Sequence, residues 1–263
     1  MIFSAPKLSR LMVLLIIFPL LTVAKPLQGD LSAAQLIHSR ILNYSIQYQV
    51  YTPENVETLS DLPVVFVTDG PLYLRFGEMD KIIDKLIATK QLQPLIAVFV
   101  DSREPGNLTN NRRNSEFWCI ANYAKFYHDE FIKRIEQDYP VANTPQKRLI
   151  MGASFGGLNA ACFGLMIPDM FHNIGMHSPA NSQHLGLLKT LYKDQERLPL
   201  KLFLSVGTDN DNLEATQAFK YVLVKKGYDL TYKKVHEGHN FKNWKPLIDD
   251  LLLTFFPLST ATD

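Results

Sequence analysis

The stretch Met151-Gly152-Ala153-Ser154-Phe155-Gly156-Gly157 decides the fold. Before it, Arg148-Leu149-Ile150 reads as the end of a buried strand. After it, Leu158-Asn159-Ala160-Ala161-Cys162-Phe163-Gly164-Leu165-Met166 is small-residue-rich and helical. A strand, G-x-S-x-G and a helix in that order make a nucleophile elbow. The turn is too tight for side chains at its flanks, hence Gly152 and Gly156, and Ser154 stands at its apex. The helix that begins there aims backbone N–H groups at any oxyanion formed beside the serine. The bare motif is weak, since a glycine-rich turn with an ordinary exposed serine has the same letters. Its position between strand and helix gives it weight.

Outward from the elbow, strands and helices alternate. Gln35 to Leu42 and Tyr44 to Tyr51 alternate apolar and polar around Asn43, the pattern of an antiparallel hairpin. Leu62 to Thr68 and Pro94 to Val100 are unbroken apolar runs, as expected of strands covered on both faces. Helical spacing occupies Tyr73 to Leu92 and Ala121 to Asp138. Between them, Asp101 to Glu116 is polar and aperiodic, long enough to be functional or mobile. Beyond the elbow helix, Phe171 to His177, Leu200 to Val206 and Asp229 to Val235 read as strands. Gln183 to Tyr192, Leu213 to Lys226 and Trp244 to Phe256 read as helices. The expectation is a mainly parallel α/β sheet with an antiparallel N-terminal hairpin, helices on both faces, and one domain over residues 25–263.

With 263 residues, 46% of them hydrophobic, the chain can form one large core. Lys7 and Arg10 precede an uncharged run from Leu11 to Val23, and Thr22-Val23-Ala24 offers a cleavage site. Residues 1–24 therefore read as a signal peptide for export to the periplasm or medium, with an uncleaved anchor as the alternative. Cleavage removes two bases and no acid, taking the formal net charge from +1 to −1. That balance argues against nucleic acid or a stable membrane partner. Export permits a bond between Cys119 and Cys162, but two cysteines are no framework, and Cys162 reads as a small buried hydrophobe. Neither cysteine sits where a thiolate nucleophile is expected.

A serine hydroxyl needs a base to take its proton. In this class of fold the order is Ser, then Asp or Glu, then His, each on a loop after a strand. The loop after Val206 carries Asp209 and Asp211, and the loop after Val235 carries His239 behind Gly238. Asp211 directly precedes Asn212-Leu213, where the next helix starts, and is preferred to Asp209 as the orienter of His239; Glu214 is a remote third. Of the other histidines, His38, His128 and His172 fall within elements, His184 opens a helix, and His177 ends a strand where it can line a pocket. His236 and His239 lack further ligands at metal spacing, so neither a metal nor another cofactor is expected. Phe155 N–H is one oxyanion donor. The other comes from the loop after Thr68, where Pro71 has no N–H, and Gly70 is preferred to Leu72.

The ordered set of these features resembles the esterase family of the α/β-hydrolase superfamily that includes enterochelin esterase, esterase D and feruloyl esterase domains. The residues carrying the resemblance are Val67-Thr68-Asp69-Gly70, Arg113 with Glu116, Gly152 to Gly157, Phe171 to Pro179, Gly207 to Asp211, and Gly238-His239 with Trp244. The resemblance spans roughly residues 35 to 257. It implies an α/β-hydrolase fold and cofactor-free carboxylic-ester hydrolysis, with Ser154 as nucleophile, His239 as base and a loop aspartate as orienter. Two departures stand out. The acid loop is one residue longer than a Gly-Thr-Asn-Asp version, and no His-Gly oxyanion loop is present. An acyltransferase with the same triad and a non-catalytic binding protein of this fold are the alternatives. The expected partner is a small-molecule or conjugated ester. Arg113 and Glu116 are expected either to line the pocket or to pair and pin the loop, and Tyr73, Phe117, Trp118 and Trp244 to form an apolar wall or core.

Overall fold

The structure is a computed structural model that describes residues 1–2 and 28–258. Residues 3–24 of the expected signal segment, with its cleavage site, lie outside the described residues. Among the described residues, eleven strands follow one another: β1 Asp30–Leu31, β2 Gln35–Ser39, β3 Tyr44–Thr52, β4 Val64–Val67, β5 Ile96–Asp101, β6 Arg103–Glu104, β7 Asn107–Asn111, β8 Arg148–Ala153, β9 Asn173–His177, β10 Lys201–Gly207 and β11 Asp229–Val235. Nine form one sheet in the order β1-β3-β5-β4-β8-β9-β10-β11, with β2 also paired to β3. Across this sheet, every pairing along β5-β4-β8-β9-β10-β11 is parallel. β1, β2 and β3 supply the antiparallel end, as the alternation around Asn43 predicts.

The central strands are buried on both faces because helices cover both. Along β4, Val64 and Phe66 point into one core and Val65 and Val67 into the other, the period-2 geometry of a strand. The first core lies under helices that include Phe155–Met166, Ser182–Asp194 and Leu213–Lys225; the second lies under Met79–Ala88 and Ile248–Phe255. Each fully buried Val, Ile or Phe contributes roughly 1.5–3 kcal/mol, so this two-sided covering dominates the stability. The chain leaves β4 for β5 on one side and later returns to β8 on the other. That reversal opens the crevice at the carboxyl edge of β4 and β8 where open α/β sheets bind ligands.

Several expectations are corrected. The helix read over Tyr73 to Leu92 is two pieces. A helical segment runs from Gly70 to Gly77 and is wound wider than an α-helix over Tyr73–Gly77, Glu78 turns left-handed at φ 49°, and the second helix is Met79–Ala88. The aperiodic stretch from Asp101 to Glu116 folds as the β6–β7 hairpin and a short helix, Arg113–Glu116. β7 is exposed along its length, so no burial pattern marks it in the sequence. The last helical run divides into Phe241–Trp244, a tighter turn at Lys245–Leu247 that contains Pro246, and Ile248–Phe255. Cys162 is buried, yet not as a free hydrophobe: it forms a disulfide with Cys119, with Cα atoms 5.1 Å apart. Among the described residues no helix is long and apolar enough to cross a membrane.

Candidate active site

Ser154 follows β8 with φ 57° and ψ −123°, a backbone that a non-glycine residue adopts only when its surroundings hold it there. The hold is visible. Ser154 N–H donates to His177 O at the end of β9, and Ala180 N–H donates to Ser154 O. A Cβ on Gly152 would meet the Thr68 hydroxyl and come within 2.5 Å of the Gly156 carbonyl carbon; a Cβ on Gly156 would meet the same hydroxyl. The flanking glycines are therefore a steric requirement. Phe155 begins the helix, where the first N–H groups have no intrahelical acceptor.

The Asp211 carboxylate is fully buried and collects donors on both oxygens. Oδ1 meets His239 Nδ1 at 2.5 Å. Oδ2 accepts from Gly207 N–H at 2.5 Å, Ser178 Oγ–H at 2.6 Å and Asn243 Nδ2 at 2.9 Å. Ser178 is held in turn by Trp244 Nε1–H at 2.9 Å. A carboxylate only accepts, so the ring presents Nδ1–H to it, and neutral His239 keeps Nε2 as a proton acceptor. The ring packs edge-on against Trp244, with centroids 5.1 Å apart, and its side chain is 31% exposed. Asp209 makes a different contact, accepting from Thr208 Oγ1 at 2.9 Å. His236 meets that same hydroxyl at 3.1 Å.

Asp211 and His239 are thus in contact, on loops after β10 and β11. Ser154, after β8, stands at the same carboxyl edge, and its hydroxyl makes no side-chain hydrogen bond among the described residues. On the loop after β4, Leu72 N–H is already donated to Asp69 O. Gly70 packs so closely on Phe99 that a Cβ would lie 2.5 Å from its carbonyl carbon.

Residues 39–255 match the model of the family described as "Putative esterase". The chain belongs to that esterase family. The Bacillus subtilis (strain 168) relative "Uncharacterized protein YjcH" is 25% identical over 228 residues, 81% of this chain and 92% of that protein. The iron(III) enterobactin esterase of Escherichia coli (strain K12) is 22% identical over 230 residues, 84% of this chain and 56% of that protein. Among solved structures, the enterobactin esterase FES from Shigella flexneri, crystallised in the presence of enterobactin, matches with a TM-score of 0.76 at 22% identity, covering 85% of this chain and 58% of that one. A ferulic acid esterase matches with a TM-score of 0.69 at 19% identity, covering 88% of this chain and 98% of that one. At such identities the solved structures speak for the fold, that of the α/β-hydrolase-type esterases. The chain spans about half the length of the enterobactin esterases it matches.

Around the elbow of this esterase-family chain, Phe155, Trp118 and His184 form an aromatic cluster. Ring centroids are 5.7 Å apart for Trp118–Phe155, 5.2 Å for Phe155–His184 and 4.4 Å for Trp118–His184. Trp118, 46% exposed, is the open part of the wall; Tyr73, Phe117 and Trp244 are buried. His177 does not line a pocket. It is wholly buried, shares a 3.1 Å hydrogen bond with Tyr73 Oη, and burial pulls its pKa down to about 3.

Arg113 and Glu116 do not pair. Arg113 Nε contacts both oxygens of Asp69, at 2.8 and 3.0 Å. Glu116 is fully buried, accepts from Tyr44 Oη–H at 3.1 Å, and is pushed up to about pKa 8 chiefly by burial. Sequence reasoning missed the partners that fix Asp211. Asn243 and Trp244 lie shortly after His239 in the chain, but Ser178 is 33 residues from Asp211, and nothing in its local spacing pointed there.

Proposed function

We propose that the protein is a serine carboxylic-ester hydrolase that works through an acyl-enzyme on Ser154. The observation that carries the reading is the buried Asp211 carboxylate in contact with His239 Nδ1, on the sheet edge that also bears the strained Ser154. In the proposed cycle, His239 Nε2 takes the Ser154 proton as the hydroxyl attacks the ester carbonyl. Asp211 holds the ring in the required tautomer and stabilises the imidazolium. Phe155 N–H and Gly70 N–H receive the oxyanion, and each such donor is typically worth about 2.7–4 kcal/mol. His239 then protonates the departing alcohol, and water activated by the same nitrogen releases the acid.

Family membership and the likeness to esterases support the reaction class. The reading needs no cofactor. The substrate is a small-molecule or conjugated ester whose acyl or alcohol part meets the Trp118, Phe155 and His184 wall. We further infer one domain from residue 25 onward and export of the chain. A disulfide supports export, since such bonds persist in oxidising compartments. N-terminal sequencing of the fractionated protein tests it; a cytoplasmic pool that keeps Met1 would refute it.

The direct test of the function is Ser154→Ala on a panel of esters, with and without an added alcohol acceptor. Ester turnover should fall by on the order of 10⁴-fold or more with thermal stability nearly unchanged. Turnover retained by the purified variant would end the serine mechanism. Transfer of the acyl group to the alcohol in preference to water would make the protein an acyltransferase.

A further inference from the structure

A second carboxylate stands against the first turn of the nucleophile helix. Asp69 follows β4 in a left-handed conformation, φ 54°, and is buried. A Cβ built on Gly156 would lie 3.4 Å from Asp69 Oδ2, so the carboxylate lies beside the residue next to Phe155. Any oxyanion held by Phe155 N–H would develop its charge near this anion. Burial raises the Asp69 carboxyl above its ordinary value, and Arg113 offsets part of that rise, with smaller opposing effects from Asp101 and Arg103, which are paired to each other. Among the described residues, Arg113 is the one donor to the Asp69 carboxylate. The Arg113 guanidinium also sits over the ring of Phe155, 5.5 Å from its centroid, and over Phe117, 5.9 Å from its centroid.

An aspartate is suited to the left-handed turn, because short polar side chains tolerate that region. The same side chain brings a negative charge to the place where the reaction builds another. We propose that Arg113 is a positioning residue that cancels the Asp69 charge beside the oxyanion site, acting on the reaction through Asp69 and not by touching substrate. This rests on the serine-esterase reading above. While Asp69 stays ionised, an uncancelled charge taken for scale at about 6 Å from the oxyanion, at an effective dielectric of about 20, corresponds to about two decades of rate. The effect falls on the transition state, where the new charge exists, so kcat should change and KM should not.

The test compares wild type, Arg113→Gln and the double variant Asp69→Asn/Arg113→Gln on p-nitrophenyl acetate, whose acyl group is small and uncharged, at alkaline pH, which keeps a buried carboxyl ionised once its arginine is gone. Melting temperature is recorded for each. The single variant should lose about 10²-fold in kcat with KM within a few-fold, and the double variant should return to within about tenfold of wild type. If Arg113→Gln leaves Asp69 unpaired and fails to fold, the double variant, which buries no charge there, is compared with wild type on the same criterion. Equal loss in the single and double variants, a loss expressed in KM, or an unimpaired Arg113→Gln would overturn the inference. Wild-type protein inactive on every ester, with Ser154 unreactive, would instead remove the esterase reading on which it rests.

Discussion

Asp211→Asn separates the shape of the acid from its charge, and the surroundings of Asp211 say what should follow. Three donors converge on Oδ2, from Gly207, Ser178 and Asn243, while Oδ1 faces His239 alone. An asparagine has one acceptor oxygen. If that oxygen stays with the three donors, the amide NH₂ faces His239 Nδ1, which must then accept. The ring proton moves to Nε2, the nitrogen needed as base toward Ser154. Turning the amide over would set NH₂ against three donors, each left unsatisfied at about 1–3 kcal/mol. The tautomer switch is therefore the cheaper outcome, and the variant should fold while its histidine is held in the wrong form. By analogy with other serine triads, kcat should fall about 10⁴-fold with KM little changed. Asp209→Asn, which loses only the contact to Thr208, should cost at most a few-fold. The assay is steady-state turnover of a p-nitrophenyl ester, with denaturant unfolding of each variant as the control. Asp211→Asn within tenfold of wild type, or Asp209→Asn as damaging, would refute the assignment.

Two further perturbations read the supports of the site. Replacing both Cys119 and Cys162 by serine opens a cross-link between positions 43 residues apart; the chain-entropy treatment gives a loss of about 4 kcal/mol, measurable by denaturant unfolding under non-reducing conditions, and an unchanged midpoint would contradict it. Glu116→Gln should stabilise the protein at alkaline pH. The buried carboxyl is raised to about 8 from 4.5, so the native state keeps a proton that the unfolded chain releases, and native stability falls as pH rises from about 4.5 to about 8. The upper bound on that loss is about 5 kcal/mol. Melting temperatures of wild type should drop across this window and those of the glutamine variant should stay nearly flat; parallel curves would refute the shift.

The parallel core was legible in the sequence because each strand reports its own burial. Val64 to Val67 and Ile96 to Val100 are buried at every position, and unbroken apolar runs announce that. The elbow was legible because sterics at Gly152 and Gly156 leave no other residue type. What escaped were contacts set by tertiary closure. β7, exposed at all five residues, has no apolar periodicity to betray it. Arg113 lies 44 residues from Asp69 and three from Glu116, and sequence proximity favoured the wrong carboxylate. The disulfide depends on Cα atoms 5.1 Å apart across elements whose packing no local pattern specifies. The helix after Gly70 ends at Glu78 through a left-handed residue, where glycine or asparagine is the usual marker.

The central claim is that Ser154 is the nucleophile, and covalent trapping tests it most directly. The intact protein is treated with a fluorophosphonate, digested and mapped by mass spectrometry, beside Ser154→Ala. The expected result is one adduct per chain on the peptide that holds Ser154, and none in the variant. A wild-type chain that carries no adduct, or carries it on another residue, would contradict the claim.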